Sequence, residues 1–135
     1  MADRNAIEQL FSDYGWPMDS REWPVLSDTF TEDADFTIAI TGGDTIGPIR
    51  GRAAIVEFCS STVNEQTDQR RHVITNVRIG PQTDTDATVT AILTLIVVAD
   101  GELTVKSSGL YRTRVVRDGD AWRFASMHLT LDLPF

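Results

Sequence analysis

The feature that most constrains the fold is the second half of the chain, in which apolar and polar residues alternate with a period of two. Such alternation is typical of β-strands that bury one face. The predicted strands cover residues 70–79, 86–99, 102–117 and 121–132. The short joins between them are rich in Gly, Pro and Asp, which favour turns. Long consecutive strands with such short joins must pair as an antiparallel meander.

The strand predicted over 86–99 has apolar residues on both faces. One face carries Ala87, Val89, Ala91, Leu93, Leu95 and Val97, and the other carries Ile92, Ile96 and Val98. Extended apolar surface is seldom left exposed in a soluble monomer. We therefore expect helices to cover one face and another subunit to cover the other, which predicts a homodimer or homotrimer.

The first half of the chain is predicted to be mainly helical. A first helix over residues 3–14 has an apolar stripe made of Ile7, Leu10, Phe11 and Tyr14. The segment Gly15-Trp16-Pro17 is expected to end or kink this helix. Further helices are expected over residues 20–30 and 51–63, with a short strand over 35–40 and a hairpin turn between them.

This order of elements is an α+β pattern within one domain, residues 1–135. A long antiparallel sheet twists and curls, so three helices on its hollow side would close a cone around an apolar pocket. The expected fold is thus a curved antiparallel sheet wrapped on three helices from the N-terminal half. Its pocket would take a small hydrophobic molecule.

Composition excludes several classes of partner. With 20 acidic against 12 basic residues the net charge is −8, which disfavours nucleic acid and anionic membranes. No apolar segment is long enough to span a bilayer, and the first residues lack the apolar run of a signal peptide. The single cysteine, Cys59, permits no intrachain disulfide, so we expect a cytoplasmic protein. Two arginine clusters, at 70–71 and 112–117, are interpreted as surface residues that form ion pairs and keep the strand edges soluble.

His72 is the main candidate for chemistry. On the predicted strand it shares a face with Ile74 and Asn76, so it lies beside an aliphatic residue on a covered face. A histidine side chain titrates near neutral pH, and its two ring nitrogens can take separate partners. The residues alone leave two interpretations open: a general base, or a core histidine bonded to the backbone.

Several segments together resemble a known family. They are Thr-Glu-Asp-Ala-Asp-Phe at 31–36, Gly-Arg-Ala-Ala-Ile at 51–55, Arg-His-Val-Ile-Thr-Asn-Val at 71–77, Gly-Leu-Tyr at 109–111 and Asp-Gly-Asp-Ala-Trp-Arg-Phe at 118–124. With the order of elements, they resemble the SnoaL-like branch of the NTF2-like superfamily. The closest likeness is to the scytalone dehydratase, hexachlorocyclohexane dehydrochlorinase and bile acid 7α-dehydratase group. The resemblance implies a cone-shaped NTF2-like barrel.

The resemblance also implies an Asp–His pair inside the cone that removes a proton without a metal or cofactor. Asp19 and His72 stand where the family has this pair, and Tyr14 has the spacing of the bile acid dehydratase's tyrosine. Other active-site residues of the group have no clear equivalents. Gly109 and Tyr111 stand near the serine and asparagine of scytalone dehydratase, and Met127 stands near the late arginine of the dehydrochlorinase. The substrate and the leaving group therefore stay open.

Asp19 and Tyr14 each have a second interpretation. The segment Asp19-Ser20-Arg21-Glu22 also fits a capping box at the start of the second helix. In the catalytic interpretation, Asp19 instead accepts the Nδ1–H of His72 and stabilises the imidazolium. Tyr14 either packs in the core or polarises a substrate oxygen.

The remaining candidates are substrate-binding positions. Trp16, Phe36, Asn76 and Tyr111 are expected to line the pocket, and His128 is either a second polar group there or a surface residue. A two-histidine, one-carboxylate iron site made of His72, His128 and Asp19 is conceivable, but no ligand-spaced motif favours it, so no metal is expected. Cys59 is interpreted as an inert core thiol.

These observations predict a cofactor-independent lyase of the dehydratase or dehydrohalogenase type. Its substrate would be a small hydrophobic carbonyl or halogenated compound, from which His72 removes a proton before a leaving group departs. Two alternatives stay open. One is an isomerase or polyketide-type cyclase that uses the same pair, and the other is a non-catalytic module that binds a small ligand.

Overall fold

The computed structural model of the protein describes residues 2–135. Over these residues the chain forms three α-helices and six β-strands, as the α+β prediction requires. In chain order they are α1 (Arg4–Ser20), α2 (Trp23–Asp28), β1 (Phe30–Ile40), β2 (Thr45–Arg50), α3 (Arg52–Asn64), β3 (Gln69–Gln82), β4 (Asp86–Ala99), β5 (Glu102–Asp118) and β6 (Ala121–Leu131).

All six strands form one curved sheet in the order β2-β1-β6-β5-β4-β3. The meander from β3 to β6 is antiparallel, as the short joins predict. β1 and β6 pair in parallel, which the sequence did not reveal because these strands are far apart in the chain. The order is linear, so β2 and β3 are free edges and the sheet stays open. The helices close its hollow side.

The alternation in β4 separates core from surface as predicted. The six side chains from Ala87 to Val97 on the inner face are each at most 8% exposed, whereas Ile92 and Val98 on the outer face are 40% and 36% exposed. The predicted stripe of α1 is buried against the inner face. Tilted and edge-to-face aromatic contacts fill the space between them, involving Phe11, Tyr14, Phe30, Tyr111 and Phe124.

The first two helices differ from the prediction. α1 does not end at Gly15-Trp16-Pro17 but continues to Ser20 and stops at Arg21, whose φ of 60° is left-handed. Proline removes one backbone hydrogen bond, but Gly15 and Pro17 are themselves buried, so tertiary packing stabilises the last turn. α2 is correspondingly shorter than the predicted 20–30. Its N-cap is Glu22, which makes no side-chain capping bond, so the structure does not support the capping-box interpretation of Asp19.

A β-bulge in β3 corrects a second prediction. The pairing with β4 shifts between Thr75 and Arg78, and Asn76 takes a left-handed φ of 57°. A bulge inserts one extra residue and so reverses the alternation beyond it. Val77 and Ile79 therefore pack against the core, while Asn76 is exposed rather than on the face of His72.

Among residues 2–135, no helix combines the length and the apolarity needed to cross a bilayer.

Candidate active site

The last turn of α1 places a carboxylate against the start of β3. Oδ1 of Asp19 lies 2.6 Å from Nδ1 of His72. The same carboxylate accepts the backbone N–H of His72, with Oδ2 at 2.9 Å and Oδ1 at 3.2 Å from the nitrogen. Only 10% of the Asp19 side chain and 11% of the His72 side chain are exposed. The structure thus joins two residues that are 53 positions apart in the sequence.

Gly15 allows α1 to approach β3 this closely. A Cβ atom built at Gly15 would lie 3.2 Å from Cδ1 of Ile74 and 3.6 Å from Cβ of His72. The first distance is tighter than ordinary van der Waals contact, so a larger side chain here would separate the helix from the strand. Because Asp19 lies one helical turn further on, Gly15 sets its distance from His72. The sequence indicated a helix break at Gly15, whereas the structure shows a packing site.

The carboxylate determines which nitrogen of the His72 ring is free. An ionised carboxylate only accepts hydrogen bonds, so Nδ1 must carry a hydrogen and donate it to Asp19. In the neutral ring Nε2 then has an unshared electron pair and can accept a proton. If a proton is taken up, the adjacent carboxylate stabilises the imidazolium, as in other Asp–His pairs.

His72 lines a cavity between the helices and the inner face of the sheet. The cavity measures about 50 Å³. Its walls are mainly apolar and include Met18, Phe36, Ile38, Phe58, Leu93, Leu95, Leu129, Leu131 and Phe135. Benzene occupies a cavity of roughly 150 Å³ in a well-studied case. A ring-sized ligand would therefore enter only as the walls move. Met18 and Gln66 are wall residues with unbranched side chains that can take several rotamers.

Tyr14 reaches this cavity from α1, with Tyr111 behind it. Both are buried, and the hydroxyl of Tyr111 donates to the hydroxyl of Tyr14 across 3.4 Å. Burial, followed by the charge of Tyr111, raises the pKa of Tyr14 well above its usual value. Burial likewise raises the pKa of Tyr111. Tyr14 is thus a neutral phenol at physiological pH. Because it accepts from Tyr111, its own hydrogen can be donated into the cavity.

The predicted pocket-lining residues fall into two groups. Phe36 lines the cavity, and Tyr111 lies behind Tyr14. Trp16, Asn76 and His128 do not line it, so their substrate-binding roles stay predictions. Trp16 is 70% exposed because it lies on the side of α1 away from Tyr14. Together with Asn76 and His72 it borders an outer groove between α1 and β3.

His128 faces outward for a different reason. The β5–β6 pairing shifts at Arg114–Val115, which breaks the alternation along β6. Phe124, Met127 and Leu129 are therefore buried while His128 is exposed. His128 thus cannot join His72 in an iron site. Across residues 2–135, no three or more His, Cys, Asp or Glu side chains come together as a potential metal site.

Among the cavity-wall residues that sequence reasoning missed, two have ionisable side chains. Cys59 was assigned to the core and is buried, but it also lines the cavity, and burial raises the pKa of its thiol to about 12. Arg70 was assigned to the surface, yet it lines the same cavity as His72. Strand alternation carried the signal for Arg70, because residues two positions apart share a face.

Comparison with known proteins gives a family match. Residues 1–128 match the family model described as SnoaL-like domain. None of the curated proteins matches this chain.

Solved structures share the fold over nearly the whole chain. A protein from Catenulispora acidiphila in complex with S-DNPA is 26% identical over 94% of this chain and 91% of that chain, with a TM-score of 0.78. A putative scytalone dehydratase from Novosphingobium aromaticivorans is 22% identical over 96% and 83%, with a TM-score of 0.77. The β subunit of a putative aromatic-ring-hydroxylating dioxygenase from the same organism is 16% identical over 98% and 90%, with a TM-score of 0.82.

Proposed function

This chain belongs to the SnoaL-like domain family, whose members include dehydratases, cyclases and isomerases, and we propose that it is a cofactor-independent lyase. The proposed substrate is a small hydrophobic compound with an acidic C–H bond beside a carbonyl or a halide. The proposed catalytic residues are His72, Asp19 and Tyr14. The proposed reaction is an α,β-elimination of water or of a hydrogen halide.

One observation carries the proposal: the 2.6 Å contact between Asp19 and His72 beside an apolar cavity. A histidine held only for packing needs no carboxylate, since a backbone carbonyl or water would satisfy its ring. Burying a carboxylate is costly unless it is hydrogen-bonded. Asp19 meets that condition by accepting both the ring and the backbone N–H of the same residue. The pair is thus built to hold one ring in one orientation.

The proposed reaction begins with proton transfer from carbon to Nε2 of His72. Asp19 stabilises the imidazolium, and Tyr14 donates a hydrogen bond to the carbonyl oxygen as negative charge develops there. The electron pair of the broken C–H bond then forms the new C=C bond. The leaving group departs with its own electron pair as halide, or takes the proton back from the imidazolium and departs as water. A positioned general base contributes typically ~10²–10⁴-fold in rate.

The same residues would also serve an isomerase or a cyclase. If the enolate takes its proton back at another carbon, the product is an isomer. If it attacks an electrophile within the same molecule, a ring forms. The first step is identical in all three reactions, so the proposal of proton removal by His72 does not depend on which reaction follows.

A second candidate is a non-catalytic module that binds a ligand or assembles with a partner. Two observations favour the assembly role: the cavity of about 50 Å³ is small for any ligand, and the fold is shared with the β subunit of a putative dioxygenase. The complex of the Catenulispora protein with S-DNPA fits a ligand-binding role of either kind.

Exchange of carbon-bound hydrogen with deuterated water tests the proposal without knowledge of the leaving group. A panel of small ketones and enones is incubated with the protein, and exchange beside the carbonyl is followed by NMR. The wild-type protein should accelerate exchange of at least one compound, and His72→Gln should lower that rate by about 10²-fold or more. His128→Gln is the matched control, because it changes the exposed histidine, and it should exchange like the wild type. Equal rates for both variants, or no exchange at all, would favour the binding module.

A further inference from the structure

Arg70 lines the cavity wall two residues before His72. We propose that Arg70 binds an ionised oxygen of the substrate, either a carboxylate or the oxygen of an acidic enol. This inference deepens the proposed function, because it assigns a second recognition element to the same cavity and rests on that cavity being the substrate site. It narrows the substrate class from hydrophobic compounds in general to small apolar acids.

The environment of Arg70 differs sharply from that of its neighbour. Only 12% of the Arg70 side chain is exposed, whereas Arg71 is an exposed residue on the opposite face of β3. Both arginine side chains would be expected to be exposed to solvent, because arginine is rarely buried without a partner. Placing a charged group at an apolar wall costs desolvation energy unless its donors are satisfied. The N–H donors of Arg70 therefore need acceptors, which the protein, water or a ligand can supply.

Asp68 satisfies one edge of the guanidinium. Nε of Arg70 lies 3.0 Å from Oδ1 of Asp68, and Nη2 lies 3.4 Å from Oδ2. This side-on pairing uses two of the five N–H donors of arginine and fixes the plane of the group. Within residues 2–135, Nη1 of Arg70 has no protein acceptor. The end-on edge, formed by Nη1 and the second hydrogen of Nη2, is therefore available.

The available edge suits an oxyanion better than a neutral oxygen. Two parallel N–H bonds match the two oxygens of a carboxylate, and charge-assisted hydrogen bonds are roughly twice as strong as neutral ones. Asp68 holds the guanidinium from the other edge but is not itself part of the cavity wall. An acceptor that approaches from inside the cavity would therefore complete the coordination of Arg70.

The position of Arg70 also sets a distance within the substrate. Side chains two residues apart on a strand are separated by roughly 7 Å. The ionised oxygen bound by Arg70 would therefore lie several bonds from the C–H bond that faces Nε2 of His72. The remaining walls are mainly apolar, so the part of the substrate between these two points should be hydrophobic.

Binding of small probes tests this assignment without turnover. Benzoate, the enolate of dimedone (a cyclic 1,3-diketone) and neutral acetophenone are titrated at neutral pH and followed by NMR chemical shifts. The variants are Arg70→Gln, which removes the charge, and Arg70→Lys, which keeps the charge but loses the planar fork. Arg71→Gln is the matched control, since it makes the same change in net charge on the opposite face of the strand. Unfolding midpoints without ligand check that each variant is folded.

The expected result is selective loss of anion binding. Arg70→Gln should weaken the binding of at least one of the two anions about tenfold or more, and the affinity for acetophenone should change by less than about twofold. Arg70→Lys should bind the anion with intermediate affinity, and Arg71→Gln should bind it as the wild type does. Whether benzoate or the enolate responds identifies the kind of oxyanion. Equal effects on anions and acetophenone, or none on either anion, would overturn the assignment. The outcome is separable from that of the proposed function, because His72→Gln should lower the rate of hydrogen exchange about 10²-fold or more but keep the preference for anions.

Discussion

Asp19 shows how one side chain can decide between two interpretations of a sequence. Its neighbours fit a capping box, but α2 begins at Trp23 and its N-cap is Glu22. The carboxylate instead accepts from both the backbone and the ring of His72. Because the strand N–H and the ring are bound by the same group, the orientation of the ring is fixed relative to β3.

Replacing Asp19 by Asn should separate the electrostatic role from the geometric one. The amide is almost the same size, but its NH₂ group can donate to Nδ1 and so favour the tautomer in which Nε2 carries the hydrogen. In an Asp–His pair of another enzyme class this change lowers kcat by roughly 10⁴-fold. We expect a loss of ~10²–10⁴-fold in kcat for Asp19→Asn, with KM nearly unchanged. A wild-type kcat in this variant would show that the carboxylate serves only to hold the strand.

The buried thiol of Cys59 and the buried phenols of Tyr14 and Tyr111 determine how stability should depend on pH. Burial raises the pKa of Cys59 from 9.0 to about 12 and raises the pKa of both Tyr14 and Tyr111 above 10.0. At high pH the unfolded chain loses these protons while the folded protein keeps them, so the free energy of unfolding must fall as pH rises. The contribution is fully present below pH 9.0 and is lost progressively above it. Urea unfolding between about pH 7 and about pH 11 measures the slope.

Cys59→Ala provides the control for this pH dependence. The variant lacks one of the three groups, so its stability should fall less steeply than that of the wild type above pH 9.0. Identical slopes would show that the thiol does not retain its proton in the folded protein.

At the scale of elements, the contact between α1 and β3 carries the site. Gly15 lies where the helix crosses the strand, against Ile74 and His72. Gly15→Val should push the helix away, lengthen the contact between Asp19 and His72 and lower kcat by at least tenfold, because small displacements of catalytic groups are costly. Ser12→Val is the control, since Ser12 is exposed on the same helix. If both variants lose activity equally, the β-branched side chain in α1 rather than the close approach at Gly15 is responsible.

The elements also show what sequence patterns can and cannot predict. Alternation located β3 to β6 and the inner face of β4 because burial of one face imposes that pattern on neighbouring residues. It failed at Asn76 and at His128, where shifts in strand pairing reverse the faces. α1 continues past Pro17 because packing with distant residues outweighs a local preference. The parallel pairing of β1 with β6 is likewise a property of the whole sheet.

For the candidate site, the family resemblance identified the residue pair but not its surroundings. Asp19 and His72 were chosen from motif positions, and the structure brings them into contact. Trp16 and Asn76 were also expected to line the pocket, although both lie outside the cavity. Arg70 was missed because arginine is usually solvated. The size and the lining of the cavity depend on the packing of separate elements, which no local pattern records.

At the scale of the whole molecule, the outer face of the sheet is unusually apolar. Leu103 and Val105 at the start of β5 are 67% and 64% exposed, and they pair with Val98 and Ile96 on β4. Exposed apolar patches of this kind mark interaction sites. We propose that a second copy of the chain covers this face in a homodimer or homotrimer.

Light scattering after size-exclusion chromatography tests this assembly. The wild type should have two or three times the mass of the 15.0 kDa chain, and Leu103→Glu with Val105→Glu should lower it to that of a monomer, because charges cannot be buried without partners. Thr104→Glu, on the same exposed segment, is a control for added charge. A wild-type protein that stays monomeric at high concentration would contradict the proposal.

The central claim is that Asp19 holds His72 with a free basic nitrogen toward the cavity. Nitrogen-15 NMR of the histidine ring measures this directly, because protonated and unprotonated ring nitrogens resonate far apart and each tautomer gives its own pattern. When the ring is neutral, the claim predicts a single tautomer with hydrogen on Nδ1 and none on Nε2. A His72 ring with its hydrogen on Nε2, or one that averages between the two tautomers like a histidine in free solution, would contradict it.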